Sequence, residues 1–142
     1  MMAYRWLPHT ADLRAEIAAA TLRETLEEAG AAVRELLAGQ SEVASRETQA
    51  ISVSGTDESE LLLAFLRALF ALYHEGRFLP SRVELANVTS ANGAFNVSGT
   101  VHGEPFDATR HEAQPEVKAV TRHGLNVRRA GDGWVAEVVF DV

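Results

Sequence analysis

GWVAEVVFDV, residues 133–142, closes the chain and decides how the rest of it is organised. Trp134, Ala136, Val138 and Phe140 alternate with Val135, Glu137, Val139 and Asp141, the period-two pattern of a strand with one face in a core. Gly131-Asp132-Gly133 is a tight-turn signal, and GLNVRRA (124–130) lies on its other side, so this region predicts a β-hairpin. Asp141 is the odd residue. It stands at the tip of an apolar run, beside the α-carboxylate of Val142, which is negative at neutral pH. Adjacent anions repel and chain ends usually fray, so a strand that delivers such a pair calls for a physical reason.

Toward the N-terminus, SRVELANVTS (81–90) and AFNVSGTVHG (94–103) flank Asn92-Gly93, a second hairpin signal. Upstream of that, LLLAFLRALFALY (61–73) is apolar on nearly every face, which predicts a helix buried on more than one side. Asp57 is placed to N-cap it, and it runs to about Tyr73 with Gly76 just beyond its end. TQAISVSG (48–55) alternates and reads as a strand. TLRETLEEAGAAVRELLAG (21–39) reads as an amphipathic helix, with Thr21 and Glu24 at capping-box spacing and Gly39 at its close. Gly30 costs that helix about 1 kcal/mol against alanine, yet the pattern continues through it. After a short lead-in, DLRAEIA (12–18) alternates as a half-buried strand. The fold class predicted is α+β: a mixed β-sheet sandwich with two main helices packed against it, in one domain spanning 1–142.

The bulk composition narrows the function. At 142 residues, 46% hydrophobic and 23% charged, the chain is one ordinary globular domain. It has no cysteine, which excludes a disulfide framework, a zinc-thiolate site and a cysteine nucleophile and suits a reducing cytoplasm, the expected location. No signal peptide is expected at the N-terminus, and the 61–73 run is too short to span a membrane and carries Arg67 in its middle, so no membrane role is expected. The net charge of −7 makes the chain a poor grip for a phosphate backbone and a better match for a basic protein or for cations.

Asp12 and Asp141 each sit at a strand end, on the polar side of the alternation. If the strands that carry them are neighbours, the two carboxylates and the terminal carboxylate of Val142 meet. Like charges that close raise one another's pKa, and a hard divalent cation such as calcium, magnesium or manganese relieves the conflict. Two solvated aspartates at unrelated strand ends are the plain alternative, and the pattern alone leaves both open. His9, three residues before Asp12, is either an extra ligand or carboxylate partner of such a site or a surface-turn histidine after Pro8. The stretch 106–125 carries Asp107, Arg110, His111, Glu112, Glu116, Lys118, Arg122 and His123. No nucleophile with a positioned base and no phosphate-cradling glycine motif accompanies them, so they read as a solvated surface or a partner contact. Trp6, Trp134 and the other aromatics are too scattered for a base-stacking platform, and Phe65, Phe70 and Tyr73 read as core.

HTADL (9–13), EVKAVTRHGL (116–125) and WVAEVVFDV (134–142) occur in the order and spacing of one family: the sequence resembles archease over essentially its whole length. The acid-capped helix at 57–73 corresponds as well. The resemblance implies a sandwich protein that is an accessory factor rather than an enzyme. Its partner would be the manganese-dependent, GTP-using tRNA-splicing RNA ligase, which joins RNA ends through a guanylylated histidine. The accessory protein promotes guanylylation and multiple turnover, and meets RNA only indirectly, through the ligase. The family's divalent-metal site (calcium, manganese or magnesium) falls by position on Asp12, Asp141 and Val142, with His9, Lys118 and His123 as supporting or partner-contact residues. Two departures stand out. Ala64, Phe65 and Ala68 occupy the places of the acidic residues and tryptophan of a family pattern L-L-x-D-W-L-x-E-L, and Arg122 replaces the aromatic of T-Y-H. Two other classes of function are kept in view. A stand-alone metal-dependent phosphoester hydrolase would turn over without a partner. A chaperone-like interaction module would leave the apolar second helix uncovered.

Overall fold

The computed structural model describes residues 2–7, 13–112 and 119–141. Its elements, in chain order, are β1 (Ala3–Leu7), β2 (Leu13–Ala19), α1 (Leu22–Ala38), β3 (Glu47–Gly55), α2 (Glu58–Gly76), β4 (Phe78–Leu85), β5 (Thr89–Ala91), β6 (Ala94–Pro105), β7 (Ala119–Ala130) and β8 (Gly133–Asp141). The α+β sandwich predicted from the sequence is present. Its strands divide into two sheets, one ordered β1-β2-β8-β7 and the other β3-β6-β4, with β5 also on β6. Every described pairing is antiparallel, where the sequence reading expects a mixed sheet. Two of them are the hairpins signalled by Asn92-Gly93 and Gly131-Asp132, and a short loop can only return a strand antiparallel to its neighbour.

The two helices lie between the sheets. α1 packs on β2 and β4, α2 packs on β3 and β7, and no described strand of one sheet approaches a strand of the other. Burial on two opposite sides explains the composition of α2: Leu61, Leu62, Phe65, Leu66 and Leu69 are wholly enclosed. Each such side chain contributes about 1.5–3 kcal/mol on leaving water. Gly30 finds its use here as well, because a β-carbon there would stand 3.2 Å from Val83 Cγ2 on β4. Its absence lets α1 sit close on that strand, and the tertiary contact offsets the lost helix propensity.

The caps hold as the sequence predicts. Thr21 Oγ1 accepts the Glu24 N–H at 3.1 Å, and Asp57 Oδ1 accepts the Glu60 N–H at 2.8 Å. α2 runs one turn further than its sequence signals, with Gly76 inside it and Arg77 as the cap in the left-handed region at φ 55°. The Arg77 N–H donates to the Tyr73 carbonyl at 2.8 Å, and its guanidinium lies over the Tyr73 and Phe106 rings, which together hold a non-glycine residue in that conformation. The lead-in also forms a strand, β1, which pairs with β2 from Ala3↔Ala18 to Leu7↔Arg14. Among the described residues, no helix is long and apolar enough to cross a membrane.

Candidate metal centre

β8 is an inner strand of its sheet, flanked by β2 and β7. On one side Leu13 pairs with Phe140, and on the other Ala119 pairs with Asp141. In sequence, Asp12 immediately precedes Leu13, Lys118 immediately precedes Ala119, and Val142 follows Asp141. The strands that carry the three motif blocks therefore reach one end of one sheet, although their sequence positions span the whole chain. Asp12, Val142, His9 and Lys118 themselves lie outside the described residues, so of the expected ligands only Asp141 has a described position. Among the described residues, no three His, Asp or Glu side chains gather as a metal-holding group.

Asp141 ends β8, between β2 and β7. The residue is half-buried and has no ion-pair partner among the described residues. Arg14, on β2 and on the same outward face, is engaged by Glu137 at 2.6 Å. Side-chain packing adds to the strand pairing in holding this end in place. Phe140, 1% exposed, points inward and meets Trp6 and Phe70 edge-on, at 6.1 and 5.9 Å between ring centroids. Trp6 is itself held by α1, since its Nε1–H donates to Glu35 Oε2 at 2.5 Å and the Tyr4 hydroxyl donates to Glu35 Oε1 at 2.9 Å. Burial and that bond to a carboxylate push the Tyr4 phenol up to about 12. A rigid aromatic anchor one residue before Asp141 answers the fraying expected of a chain end.

His123 lies in the irregular stretch of β7 between Thr121 and Asn126, where the register with β8 shifts. Its N–H donates to Thr121 Oγ1 at 3.1 Å and the residue is exposed. The bulge closes over the sheet through Gly124, at φ 80°, against Val139, whose Cγ2 would stand 3.0 Å from a β-carbon there. Val139 is thereby buried on a face that is otherwise outward. This brings the 122–124 segment beside the β8 residue two before Asp141. Arg122 turns the other way and meets Glu60 of α2 at 3.1 Å.

Asp107, Arg110 and His111, read from the sequence as solvated surface or partner contact, form a structural cluster, and its centre, Glu104, is a residue the sequence did not single out. Glu104 is wholly buried near the end of β6. Arg110 donates to both its carboxylate oxygens at 3.2 and 2.5 Å, the Ala44 N–H donates at 2.7 Å, and His111 Nε2 stands 3.0 Å away. Asp107 donates its N–H to His111 Nδ1 at 2.9 Å, which assigns the ring proton to Nε2 and makes Glu104 its acceptor. The Arg110 bonds, helped by Ala44 and His111 and opposed by burial, hold the Glu104 carboxyl down at about 2. Local sequence carries little sign of this, since a glutamate in a strand reads as solvent-facing and its partners lie at residues 44 and 110–111.

Of the positions where the sequence departs from the family pattern, Arg122 is on β7 and the other three belong to α2. Phe65 is fully buried, while Ala64 and Ala68 are half-buried on the side of the helix left open between the sheets.

A model of the archease protein family (MTH1598/TM1083) matches residues 4–142. The chain is similar to the protein archease of Methanopyrus kandleri, 34% identical over 141 residues that cover 99% of this chain and 100% of that one. It is also similar to the protein archease of Pyrococcus furiosus, 31% identical over 135 residues, 94% of each chain. Among solved structures, the solution structure of Methanobacterium thermoautotrophicum protein 1598 superposes with a TM-score of 0.82, at 24% identity over 98% of both chains. A crystal structure from Thermotoga maritima, described as an archease and possible chaperone, gives a TM-score of 0.60 at 23% identity over 96% of this chain and 94% of that one. At those identities the two structures show the shared fold.

Proposed function

This chain belongs to the archease family, and on that premise we propose that it is the accessory factor of a GTP- and manganese-dependent tRNA-splicing RNA ligase. In this reading Asp12, Asp141 and the carboxylate of Val142 hold a divalent cation at the β2–β8 end of the sandwich. The observation that supports it is the register: β2, β8 and β7 are consecutive neighbours, so the strands leading from the H-T-A-D, E-V-K-A and F-D-V blocks reach one edge. A cation there would offset the repulsion among the carboxylates and supply positive charge to phosphoryl oxygens.

The chain's own contribution is positioning. Phe140 and Trp6 fix the end of β8, and the Arg14–Glu137 pair keeps the nearest described arginine of that face occupied. The acidic tip then docks on the ligase, whose own active site must attract RNA and nucleotide. Phosphoryl transfer depends chiefly on geometry and charge neutralisation, so a docked, preorganised tip is enough to promote guanylylation without catalysis of its own. Lys118, His9 and His123 are the residues proposed to orient the carboxylates or touch the ligase.

The apolar client surface of a chaperone finds little support. α2 is enclosed between the sheets, and Met2 and Leu13 are the exposed large hydrophobic side chains among the described residues. The test combines the protein with its ligase, manganese and GTP, and measures guanylylated ligase and rounds of ligation. Asp12→Ala and Asp141→Ala are expected to abolish stimulation while leaving the fold intact by circular dichroism. Stimulation equal to the parent by either folded variant would refute the reading. Metal-dependent cleavage of phosphoesters by the protein alone would favour the hydrolase instead.

A further inference from the structure

Four strands form the long outer edges of the two sheets, and three of them carry a device that discourages further pairing. β1 has only five residues with Arg5 at its centre. β7 is broken by the shift between Thr121 and Asn126 and bears Arg128 and Arg129. β4 contains Pro80 and a shift beside it, and its Leu85 N–H is taken by Glu27 Oε2 at 2.9 Å. β3 has none of these. It pairs with β6 over nine residues without a break, from Glu47↔Gly103 to Gly55↔Phe95, and carries neither proline nor charge after Glu47. Its other edge faces no strand among the described residues, and most of its side chains are exposed. A long, unbroken edge without proline and with no charge after Glu47 is a template for another strand.

A second feature adjoins that edge. Where β3 begins, a hollow of about 320 Å³ opens between α2 and the sheet, lined by Glu47 and Gln49 of β3, Leu72 and Glu75 of α2, and Phe78 and Pro105 of the neighbouring strands. Neither Glu47 nor Glu75 has an ion-pair partner among the described residues, and no cation lines the hollow. An apolar lining beside two free carboxylates fits the aliphatic stem and cationic head of a lysine or arginine. The hollow of about 300 Å³ at the other end of β3 differs: Arg67 lines it, and its Glu60 is already bound to Arg122. A basic side chain thus has one preferred end, which sets the direction and register of an incoming strand.

The geometry points to β3 as the docking edge for an extended, lysine- or arginine-bearing segment of a basic protein partner, which adds a strand to the β3-β6-β4 sheet and seats its cation between Glu47 and Glu75. A second copy of the chain fits poorly. Antiparallel self-pairing of β3 brings Glu47 and Glu75 toward Asp57 and Glu58 of the other copy, parallel pairing sets Glu47 against Glu47, and each copy carries −7 overall. This surface lies on the other sheet from Asp141 and does not depend on the cation reading.

The test titrates isotope-labelled protein with a synthetic octapeptide of alternating threonine and valine bearing one lysine, and with the same peptide bearing glutamate. The lysine peptide should shift the amide signals of Glu47–Gly55 and slow exchange at alternate β3 amides at least tenfold. The double variant Glu47→Lys, Glu75→Lys, folded by circular dichroism, should bind the lysine peptide at least tenfold more weakly. Asp141→Ala should bind it as the parent does, which separates this surface from the cation end. Shifts confined to other strands, no shifts at millimolar peptide, equal binding of the glutamate peptide, or dimerisation through β3 without peptide would each overturn the proposal.

Discussion

At the scale of single residues, the cluster around Glu104 makes the sharpest claim. A buried carboxylate that gives its oxygens to Arg110, Ala44 and His111 is stabilising only while all of them are present. Arg110→Ala removes both guanidinium bonds and leaves the carboxylate to Ala44, His111 and the more distant Arg46, 3.9 Å away, and is expected to be the costlier change. Glu104→Gln leaves a half-exposed arginine that water can reach, and is expected to cost about 1–2 kcal/mol. Urea denaturation of both variants at pH 7 checks that order, and equal losses would contradict it. The pH dependence follows from the direction of the shift. Because the folded carboxyl titrates at about 2, below its unfolded value, the stabilisation is full above about pH 4.3 and is lost as pH falls toward 2. In Arg110→Ala the penalty should shrink on the acid side, where the carboxyl can take up a proton. The place of Asp141 at the end of β8 was legible in the sequence because strand alternation identifies it locally. Glu104 was not, because everything that makes it special is brought by folding.

At the scale of elements, sequence and structure agree where the signal is local and part where it is not. Thr21 and Asp57 announce the starts of α1 and α2, and Asn92-Gly93 and Gly131-Asp132 announce two hairpins. The end of α2 was read one turn early because Gly76 resembles a stop. The stop is Arg77, whose left-handed conformation is supported by Tyr73 and Phe106, the latter 29 positions further on. β1 was read as a lead-in because five residues give too short a run to show a period. The β7 bulge is the element least visible from sequence, and it makes its own prediction. Gly124→Ala forces a side chain onto a φ of 80° and against Val139, so it should cost about 1–3 kcal/mol in chemical denaturation. If the proposed ligase stimulation holds, the same variant should also weaken it, since the bulge lies beside the strand that ends in Asp141. A variant as stable and as active as the parent would show that the bulge is dispensable.

At the scale of the whole molecule, the β1-β2-β8-β7 order joins the beginning and the end of the chain, and the proposed cation end follows from that joining. If a divalent ion binds there in the folded state alone, an excess of manganese or calcium near one hundred times its dissociation constant should add about 2.7 kcal/mol of stability. That corresponds to a rise in Tm of several degrees, measurable by calorimetry. Asp141→Ala should erase the rise, and an undiminished rise in that variant would place the ion elsewhere. The placement of two helices between two sheets has a further consequence, for how the chain emerges from the ribosome. β2 cannot meet β8 until residues 134–141 have been made, so until then α2 has α1 and the β3-β6-β4 wall to lean on, and the side it turns to β7 stays uncovered. A nascent chain paused before β7 would present leucine and phenylalanine to its surroundings, and emergence of β7 and β8 is the step that ends that hazard.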